Sequence, residues 1–457
     1  MTIAIIVVFI LGYLFITLEH NLKVNKTAIA LLLSVALWTL YICGAAEYIP
    51  GTSTLNDLAA FKDQIVKQFG ENVAETSEII FFLLGAMTIV EVVDSNGGFN
   101  FVRNKLASKR KHSLLWKITL ISFVLSAILD NLTTTIVMVM VLRKLVVDKP
   151  TRMLYCGMVV IAANAGGAFS PIGDVTTIML WVKGNVSTVG VIRELFLPSL
   201  VTVLVPAAVM SWRMKGKLQP MVKDPEDQGE KYDFSLTQRN VVFYVGVLGL
   251  CFVPIFRALT GLPPFVGVIL VLSVLWIITE FFYSNRKIEN NRANRVSRVL
   301  HSIDLSTILF FLGILMAVAV LKEIGVLQTF GAFLNDVTNG NHYIVTGIIG
   351  VASSIVDNVP LVASCMYMYP MPELAQITTE NIDFAADGIF WQLLAYCAGT
   401  GGSILIIGSA AGVIVMGLEK ISFGWYLKNF SILAFVGMVS GMVVYWLQNL
   451  VVGLLVG

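Results

Sequence analysis

The sequence predicts an all-α polytopic membrane protein built from two inverted repeats, each with five spans, one re-entrant hairpin and a broken helix at the midplane. The 457 residues are 57% hydrophobic and only 13% charged, whereas soluble domains carry about 25% charged residues. Apolar windows of roughly 17 to 25 residues, long enough to cross a bilayer, recur along nearly the whole chain. Two acid–amide pairs, Asp130-Asn131 and Asp357-Asn358, each lie in the middle of a long apolar stretch.

Ten apolar segments are predicted as spans, in the order 2–18, 27–43, 78–94, 153–183, 192–212, 240–256, 265–283, 303–321, 389–417 and 425–447. The first segment does not fit a signal peptide, because no basic region precedes it and no small-residue cleavage site follows it. A chain with so many spans is expected to have the lipid bilayer as its main partner and no nucleic-acid partner.

The stretch 118–142 is predicted as a re-entrant hairpin because basic residues flank it on both sides. Six Lys and Arg lie between 103 and 117, and four more lie between 143 and 152. Since basic residues mark the cytoplasmic face, a true span would place one cluster on the wrong side. A hairpin keeps both clusters inside and places Asp130-Asn131 at its tip, where interrupted helix geometry is tolerated beside a cavity. This topology predicts both termini outside.

Three motifs of the first half recur in the same order in the second half. Phe82-Leu83-Leu84-Gly85 matches Phe310-Phe311-Leu312-Gly313, Asp130-Asn131 matches Asp357-Asn358, and Ala163-Asn164-Ala165-Gly166-Gly167 matches Ala398-Gly399-Thr400-Gly401-Gly402. The predicted units are 1–212 (scaffold 2–94, hairpin 118–142, broken helix 153–183), a cytoplasmic linker 213–239, and 240–457 (scaffold 240–321, hairpin 343–369, broken helix 389–417). An odd number of spans per unit inverts the second unit. Chance similarity between apolar segments is the alternative.

Two predicted spans are interrupted by residues that form poor helix interiors. Segment 153–183 exceeds the ~20 residues that a span needs. Its centre contains Gly166, Gly167, Pro171 and Gly173, and its counterpart contains Gly401, Gly402 and Gly408. Such residues predict unwound stretches that direct helix ends and carbonyls toward a central site. Close helix packing by small residues is the alternative, and the neighbouring hairpin tips favour unwinding.

The candidate cation- and proton-binding residues all offer oxygen, which suits hard cations. They are Asp130, Asn131, Thr133, Thr134, Asn164, Ser170, Asp174, Ser353, Asp357, Asn358, Thr400 and Ser403, with Ser354 as a further candidate. Asp130 and Asp357 are the predicted direct ligands of Na⁺, whereas Asp174 fits either a site residue or one that points away. No Lys or Arg lies inside the hairpin cores or the broken helices. A carboxylate that binds either a proton or a cation would be an antiport site.

At these residues the chain resembles the ion-transporter superfamily, which includes dicarboxylate and citrate carriers, arsenite permeases and NhaD-type sodium/proton antiporters. The stretch from Asn164 to Thr177 looks like the NhaD type, and acids stand at the hairpin tips where dicarboxylate carriers have Ser-Asn-Thr. The resemblance implies a homodimer that exchanges Na⁺ or Li⁺ for H⁺ across the bacterial inner membrane by an elevator-like motion. It implies no cofactor and no enzymatic activity. An arsenite or dicarboxylate/citrate carrier of the same superfamily is the alternative.

An intramembrane aspartyl protease is a more remote alternative. Such an enzyme needs two membrane aspartates, one of them in a Gly-x-Gly-Asp context. Gly173-Asp174 supplies half of that motif, but Pro171 stands where the first glycine is required. The paired aspartates also belong to predicted hairpins and not to spans, so the sequence favours a carrier.

Overall fold

The protein is almost entirely helical. A computed structural model describes residues 1–17, 24–49, 55–98, 106, 108, 110–218, 234–284, 296–355, 358–372, 376–378 and 381–456. Within these ranges the only extended pairing is an isolated antiparallel bridge between Arg110 and Lys217. Eight of the described helices are long and apolar enough to cross a membrane. The predicted class, an all-α polytopic membrane protein, is confirmed.

The helices follow one another in the order that the hydropathy pattern predicts, with several interruptions. The first half contains α1 (Thr2–Thr17), α2 (Lys26–Cys43), α3 (Leu55–Ser95), α4 (Lys111–Leu129), α5 (Asn131–Leu145), α6 (Lys149–Ala168), α7 (Val175–Lys183) and α8 (Thr188–Arg213). The second half contains α9 (Leu236–Thr260), α10 (Pro264–Ser284), α11 (Val296–Ser302), α12 (Leu305–Glu323), α13 (Val326–Thr338), α14 (His342–Ala352), α15 (Asn358–Met368), α16 (Ile389–Gly401), α17 (Ala410–Glu419), α18 (Phe423–Tyr426) and α19 (Ile432–Val456).

Two described helices differ from the prediction. The predicted span 78–94 is the last part of α3, which has 41 residues and begins at Leu55. Helix α13 lies in a region where no span is predicted, and it buries Leu327, Gly331 and Thr338. Both differences have one physical reason, because a hydropathy window detects apolar spans and misses helices that bury only one face.

The described residues form two compact units. The first unit comprises residues 1–84, 304–341 and 359–370. In it α2 packs against α12, where the indole nitrogen of Trp38 donates to the carbonyl of Met316 at 2.9 Å. A Cβ at Gly313 would lie 2.6 Å from the backbone of Ala30. The glycine therefore permits the two helices to approach closely.

The second unit comprises residues 85–303, 342–358 and 371–457. It contains the first predicted hairpin, both broken helices, and helices α8 and α19, which pack along each other. The hydroxyl of Tyr396 on α16 is buried against them and donates to the carbonyl of Met438 on α19 at 2.8 Å. These contacts enclose the region that contains most of the candidate site residues.

The first predicted hairpin consists of α4 and α5, which are separated by Asp130 alone. Its two arms meet at one end. Lys111, at the start of α4, and Leu145, at the end of α5, line the same cavity of about 150 Å³. The amino group of Lys111 also donates to the hydroxyl of Thr151, beyond the second arm, at 3.3 Å. The chain therefore enters and leaves this hairpin at the same place, as the flanking basic residues predict.

Both predicted broken helices contain a break. Helix α6 ends at Ala168 and α7 begins at Val175, and α16 ends at Gly401 and α17 begins at Ala410. Four of the residues named for unwinding lie in the breaks: Pro171, Gly173, Gly402 and Gly408.

The prediction that Gly166, Gly167 and Gly401 unwind is wrong, because all three lie within helices. A Cβ at Gly166 would lie 2.2 Å from the carbonyl oxygen of Phe123, and one at Gly401 would lie 2.0 Å from that of Gly350. A Cβ at Gly167 would lie 2.4 Å from the carbonyl oxygen of Gly173. At these positions glycine serves close backbone packing, which was the alternative interpretation.

The division into repeats 1–212 and 240–457 remains a prediction. It describes a relation along the chain, whereas the two compact units are assembled from several separate segments. Residues 219–233 of the predicted linker and Asp357 of the second acid–amide pair lie outside the described residues.

Candidate ion-binding site

A buried carboxylate, Asp174, lies at the end of the first break. Its side chain is 1% exposed and caps α7, where Oδ1 accepts hydrogen bonds from the backbone nitrogen of Thr176 at 2.9 Å and from its hydroxyl at 2.7 Å. The other oxygen, Oδ2, accepts from the amide nitrogen of Asn131 at 2.5 Å. A helix N-terminus and several donors offset much of the cost of burying a charge. Of the two predicted orientations, Asp174 adopts the one toward the hairpin tip.

The hairpin tip holds the second described carboxylate in a strained backbone conformation. Asp130 has φ 83° and ψ 163°, a region that is essentially restricted to glycine. Its side chain caps α5, because Oδ1 accepts from the backbone nitrogen of Thr133 at 2.7 Å and Oδ2 accepts from the hydroxyl of Thr133 at 3.1 Å. The next residue, Asn131, is buried and binds Asp174. The tip thus presents one acid to its own helix and one amide to the neighbouring carboxylate.

Asn164 joins the hairpin tip to the second break. It is fully buried on α6, and its carbonyl oxygen accepts from the side-chain amide of Asn131 at 3.1 Å. Its amide nitrogen donates to the hydroxyls of Ser403 at 2.9 Å and Ser409 at 2.8 Å. One side chain therefore connects both halves of the chain, and all of its hydrogen-bonding partners are buried.

The second half contributes amide and hydroxyl groups to this network. The side-chain nitrogen of Asn358, the first residue of α15, lies 3.5 Å from Oδ1 of Asp174. Ser403 and Ser409 lie in the break before α17, and Ser409 caps that helix by accepting from the backbone nitrogen of Gly412 at 3.2 Å. Asp357, the other predicted Na⁺ ligand, lies outside the described residues.

Four predicted site hydroxyls bind backbone carbonyls instead of the central network. They are Ser170 to Ala127 at 2.5 Å, Ser353 to Ala398 at 2.8 Å, Ser354 to Val351 at 2.7 Å and Thr400 to Tyr396 at 2.6 Å. The first two hydrogen bonds tie a broken helix to a hairpin. The structure thus places these hydroxyls in the support of the site, a role that residue type alone does not reveal.

Two threonine hydroxyls near the carboxylates have no hydrogen-bond partner among the described residues. Thr134 lies four residues after Asp130, and Thr177 lies three residues after Asp174. Both side chains are fully buried. Buried polar atoms normally find partners, so these two oxygens are suited to a ligand that accepts oxygen donors.

Equivalent contacts recur in the two halves at the offsets of the sequence motifs. Ser126 donates to the carbonyl of Ala163 at 2.5 Å, and 227 and 235 residues later Ser353 donates to the carbonyl of Ala398 at 2.8 Å. Asp174 and Ser409, 235 residues apart, each cap the helix after a break. The second half thus has a hydroxyl where the first half has a carboxylate. Ser409 and Thr176 are absent from the predicted set, although the offset from Asp174 identifies Ser409.

Known proteins were compared with the chain once its geometry was established. A protein-family model described as "Citrate transporter", CitMHS, matches residues 6–391. Sodium/proton antiporter 1 of Arabidopsis thaliana is 44% identical over 446 residues, which covers 97% of this chain and 72% of that protein. The Na(+)/H(+) antiporter NhaD of Vibrio cholerae is 30% identical over 475 residues, which covers 98% of this chain and 91% of that protein.

Among solved structures, the YdaH transporter of Alcanivorax borkumensis has a similar fold. The TM-score is 0.58 at 12% sequence identity, and the match covers 93% of this chain and 99% of that chain. At this identity the likeness concerns the fold alone, and it agrees with the helical membrane architecture described above.

Proposed function

The chain belongs to the ion-transporter family that the citrate-transporter model describes and that includes the NhaD antiporters, and we propose that it exchanges Na⁺ or Li⁺ for H⁺ across a membrane. The named activities of its relatives from Vibrio cholerae and Arabidopsis thaliana support this proposal. The observation that carries it is the buried carboxylate of Asp174, which is surrounded by amide and hydroxyl groups and connected through Asn131 to the hairpin tip.

The proposed mechanism is competition between a proton and a cation for the same carboxylates. Asp174 and Asp130 flank Asn131, and each oxygen that is not donated a hydrogen bond can take either a proton or a metal ion. An empty site carries buried negative charge, which is costly in a membrane interior. Since only a loaded site is neutralised, only a loaded site moves readily between the two faces. Net flow of one ion then drives counterflow of the other.

The oxygen inventory favours a small cation as the substrate. The hydroxyls of Thr134 and Thr177 supply oxygens close to the two carboxylates, and hard cations such as Na⁺ prefer oxygen ligands. In the sequence, no Lys or Arg occurs within 118–142, 343–369 or 389–417, or between 153 and 182. These segments therefore offer a large anion no full positive charge. Asp357 completes the proposed ligand set from the second half.

The test is exchange in proteoliposomes with an acidic interior and a pH-sensitive dye. Adding NaCl or LiCl outside to wild-type protein is expected to make the interior alkaline, because entering cations expel protons. Asp174→Asn and Asp130→Asn are expected to lower the rate at least tenfold, since an amide cannot bind the proton. Asp357→Asn tests the second predicted ligand in the same way.

Asp304→Asn is the matched control for Asp130→Asn. Asp304 also caps a helix through the backbone nitrogen and hydroxyl of a threonine three residues later, Thr307, but it lies at the exposed start of α12. Asparagine caps helices as well as aspartate does, so the control should fold and transport normally. Full exchange by Asp130→Asn or Asp174→Asn would remove that carboxylate from the site.

Citrate transport is the second candidate, because the matching family model is described by that substrate. The same proteoliposomes distinguish the two functions when citrate is added with and without sodium. Uptake of labelled citrate without sodium-driven proton release would identify an anion carrier. Proton release by sodium chloride alone would identify the antiporter.

The proposal includes an elevator-like motion of the site-bearing helices, a homodimer and, in a bacterium, a location in the inner membrane. The relatives come from both plants and bacteria, so membrane fractionation of the native source decides the location. Light scattering of the purified protein, corrected for detergent, is expected to give a mass of two chains of 50.0 kDa each.

A further inference from the structure

A second polar cluster lies at the far ends of the helices that lead away from the ion-binding site. Glu419, the last residue of α17, has a side chain that is only 1% exposed. Its Oε1 accepts a hydrogen bond from Nε of Arg143 at 2.6 Å, and its Oε2 accepts one from Nε of Arg152 at 2.8 Å. We call these three residues the clasp.

The two arginines also bind backbone carbonyls at helix ends. Arg143 donates through Nη2 to the carbonyl of Leu418, near the end of α17. Arg152 donates through Nη1 to the carbonyl of Val146, which follows α5, at 2.8 Å. Terminal carbonyls lack partners within their own helix, and charge-assisted hydrogen bonds are the stronger ones. The clasp therefore fastens the ends of α5 and α17 to the beginning of α6.

Each clasp residue shares a helix with a residue of the ion-binding network. The pairs are Arg143 with Asn131 on α5, Arg152 with Asn164 on α6, and Glu419 with Ser409 at the cap of α17. Ten to twelve residues separate the members of each pair, which corresponds to roughly 15 to 18 Å along a helix. The three helices pack against one another along this length.

The same three helices are joined again at the site. Asn164 accepts from Asn131 and donates to Ser409. Three rigid rods that are fastened to one another at both ends form a frame in which no rod can slide alone. The buried position of Glu419 strengthens the lower fastening, because an ion pair is screened less when water is excluded.

We propose that Glu419 is a positioning residue for ion binding, which keeps the hairpin tip at Asp130 and Asn131 in register with Asn164 and Ser409. The inference rests on the proposed function, since it assigns the clasp to the same ion site. Removing the carboxylate leaves two arginines without their shared partner and allows α5 to shift along α6. Because the ligands then lie farther from their best positions, the cation binds more weakly.

The test compares Glu419→Gln, Arg143→Gln and the double variant in the proteoliposome assay. Glu419→Gln is expected to raise the half-saturating Na⁺ concentration about tenfold, as small displacements of binding groups have large effects, while the maximal rate changes less than about twofold. The double variant should be no worse than Glu419→Gln, because residues in one network are coupled. Glu71→Gln removes an exposed partner of Lys67 and should behave like wild type.

A purely structural role predicts a different result. In that case the maximal rate would fall with the amount of folded protein, and the half-saturating concentration would not change; this result would overturn the proposal. Glu419→Asp and Arg143→Lys cover the case in which Glu419→Gln does not fold. Both keep the charges and are expected to give half-saturating concentrations between those of wild type and the glutamine variants.

A readout without transport separates this proposal from the proposed function. Amide hydrogen exchange of residues 131–135 should be faster in Glu419→Gln than in wild type if the clasp holds the hairpin tip. Unchanged exchange there would overturn the positioning role even if transport is impaired. Failure of wild-type protein to exchange sodium for protons would instead refute the proposed function and leave the hydrogen-exchange result to decide the clasp.

Discussion

At the scale of single residues, the two helix caps after the breaks show how the site acquires its charge. Asp174 and Ser409 have nearly the same backbone conformation, with φ −147° and −144°, and each accepts a hydrogen bond from the following helix. Asp174 offers two charged oxygens, whereas Ser409 offers one neutral hydroxyl. The negative charge at these two caps therefore comes from the first half alone, and Asn164 connects it to the second half.

Asp130→Gly is expected to stabilise the protein and to abolish exchange. The backbone at Asp130 has φ 83°, a conformation that costs about 1–3 kcal/mol for a residue other than glycine, and glycine loses only a few tenths of a kcal/mol as a cap. Thermal unfolding should therefore occur at a higher temperature, while the carboxylate needed for exchange is missing. A stable variant that still exchanges ions would show that Asp130 carries no proton or cation.

Asn339→Gly is the control for that substitution. Asn339 has φ 51° at the end of α13, outside the proposed site. Glycine should remove backbone strain there as well, and exchange should remain at the wild-type rate. A loss of exchange in this variant would indicate that strain relief itself, and not the missing carboxylate, inactivates the protein.

At the scale of helices, glycines determine how closely the hairpins approach the broken helices. Gly166 of α6 lies against the backbone of Phe123 in α4, and Gly401 of α16 lies against Gly350 in α14. These positions are 235 and 227 residues apart, the offsets of the sequence motifs. The recurrence supports the proposed internal repeat, and it explains why glycines persist inside helices whose intrinsic stability they reduce.

Gly166→Ala is expected to destabilise the protein and to reduce exchange. The added methyl group would lie 2.2 Å from a backbone oxygen of the hairpin, so α4 must move, at a typical cost of about 1–3 kcal/mol. Gly417→Ala is the matched control, because nothing lies within 4 Å of its added methyl group. The control should gain up to about 1 kcal/mol from helix propensity. Equal unfolding temperatures for the two variants would contradict this packing argument.

Sequence patterns predict the helices of this protein better than its side-chain network. Flanking basic residues locate the first hairpin, and the glycine-rich and proline-containing stretches locate both breaks, because these signals act within one segment of chain. The partners of Asn164 lie 239 and 245 residues away, so no local pattern reveals them. Ser170, Ser353 and Thr400 were placed in the site by residue type, yet each donates to a backbone carbonyl.

At the scale of the whole molecule, unfolding breaks the clasp, so stability should depend on pH at acidic values. Burial by itself raises the pKa of Glu419, but hydrogen bonds from Arg143 and Arg152 outweigh burial and hold the pKa below its usual range. A carboxylate with a lowered pKa in the folded state stabilises the fold at pH values above its unfolded pKa of about 4.3. This contribution is lost as the pH falls through the folded value.

The unfolding temperature of wild type is therefore expected to fall as the pH decreases below about 4.3. Glu419→Gln should unfold at a lower temperature than wild type at neutral pH, and the difference between the two should shrink in acid. Calorimetry in detergent between pH 3 and pH 7 measures both effects. A difference that stays constant over this range would show that protonation of Glu419 does not contribute.

The unequal caps at Asp174 and Ser409 have a kinetic consequence for a carrier made of two related halves. If one opening exposes the acidic half first and the other exposes the hydroxyl half first, entry and release face different energy barriers on the two sides of the membrane. Thermodynamics fixes only the ratio of forward and reverse flux at given gradients. Such a protein should therefore rectify, saturating at different sodium concentrations when it is run inward and outward.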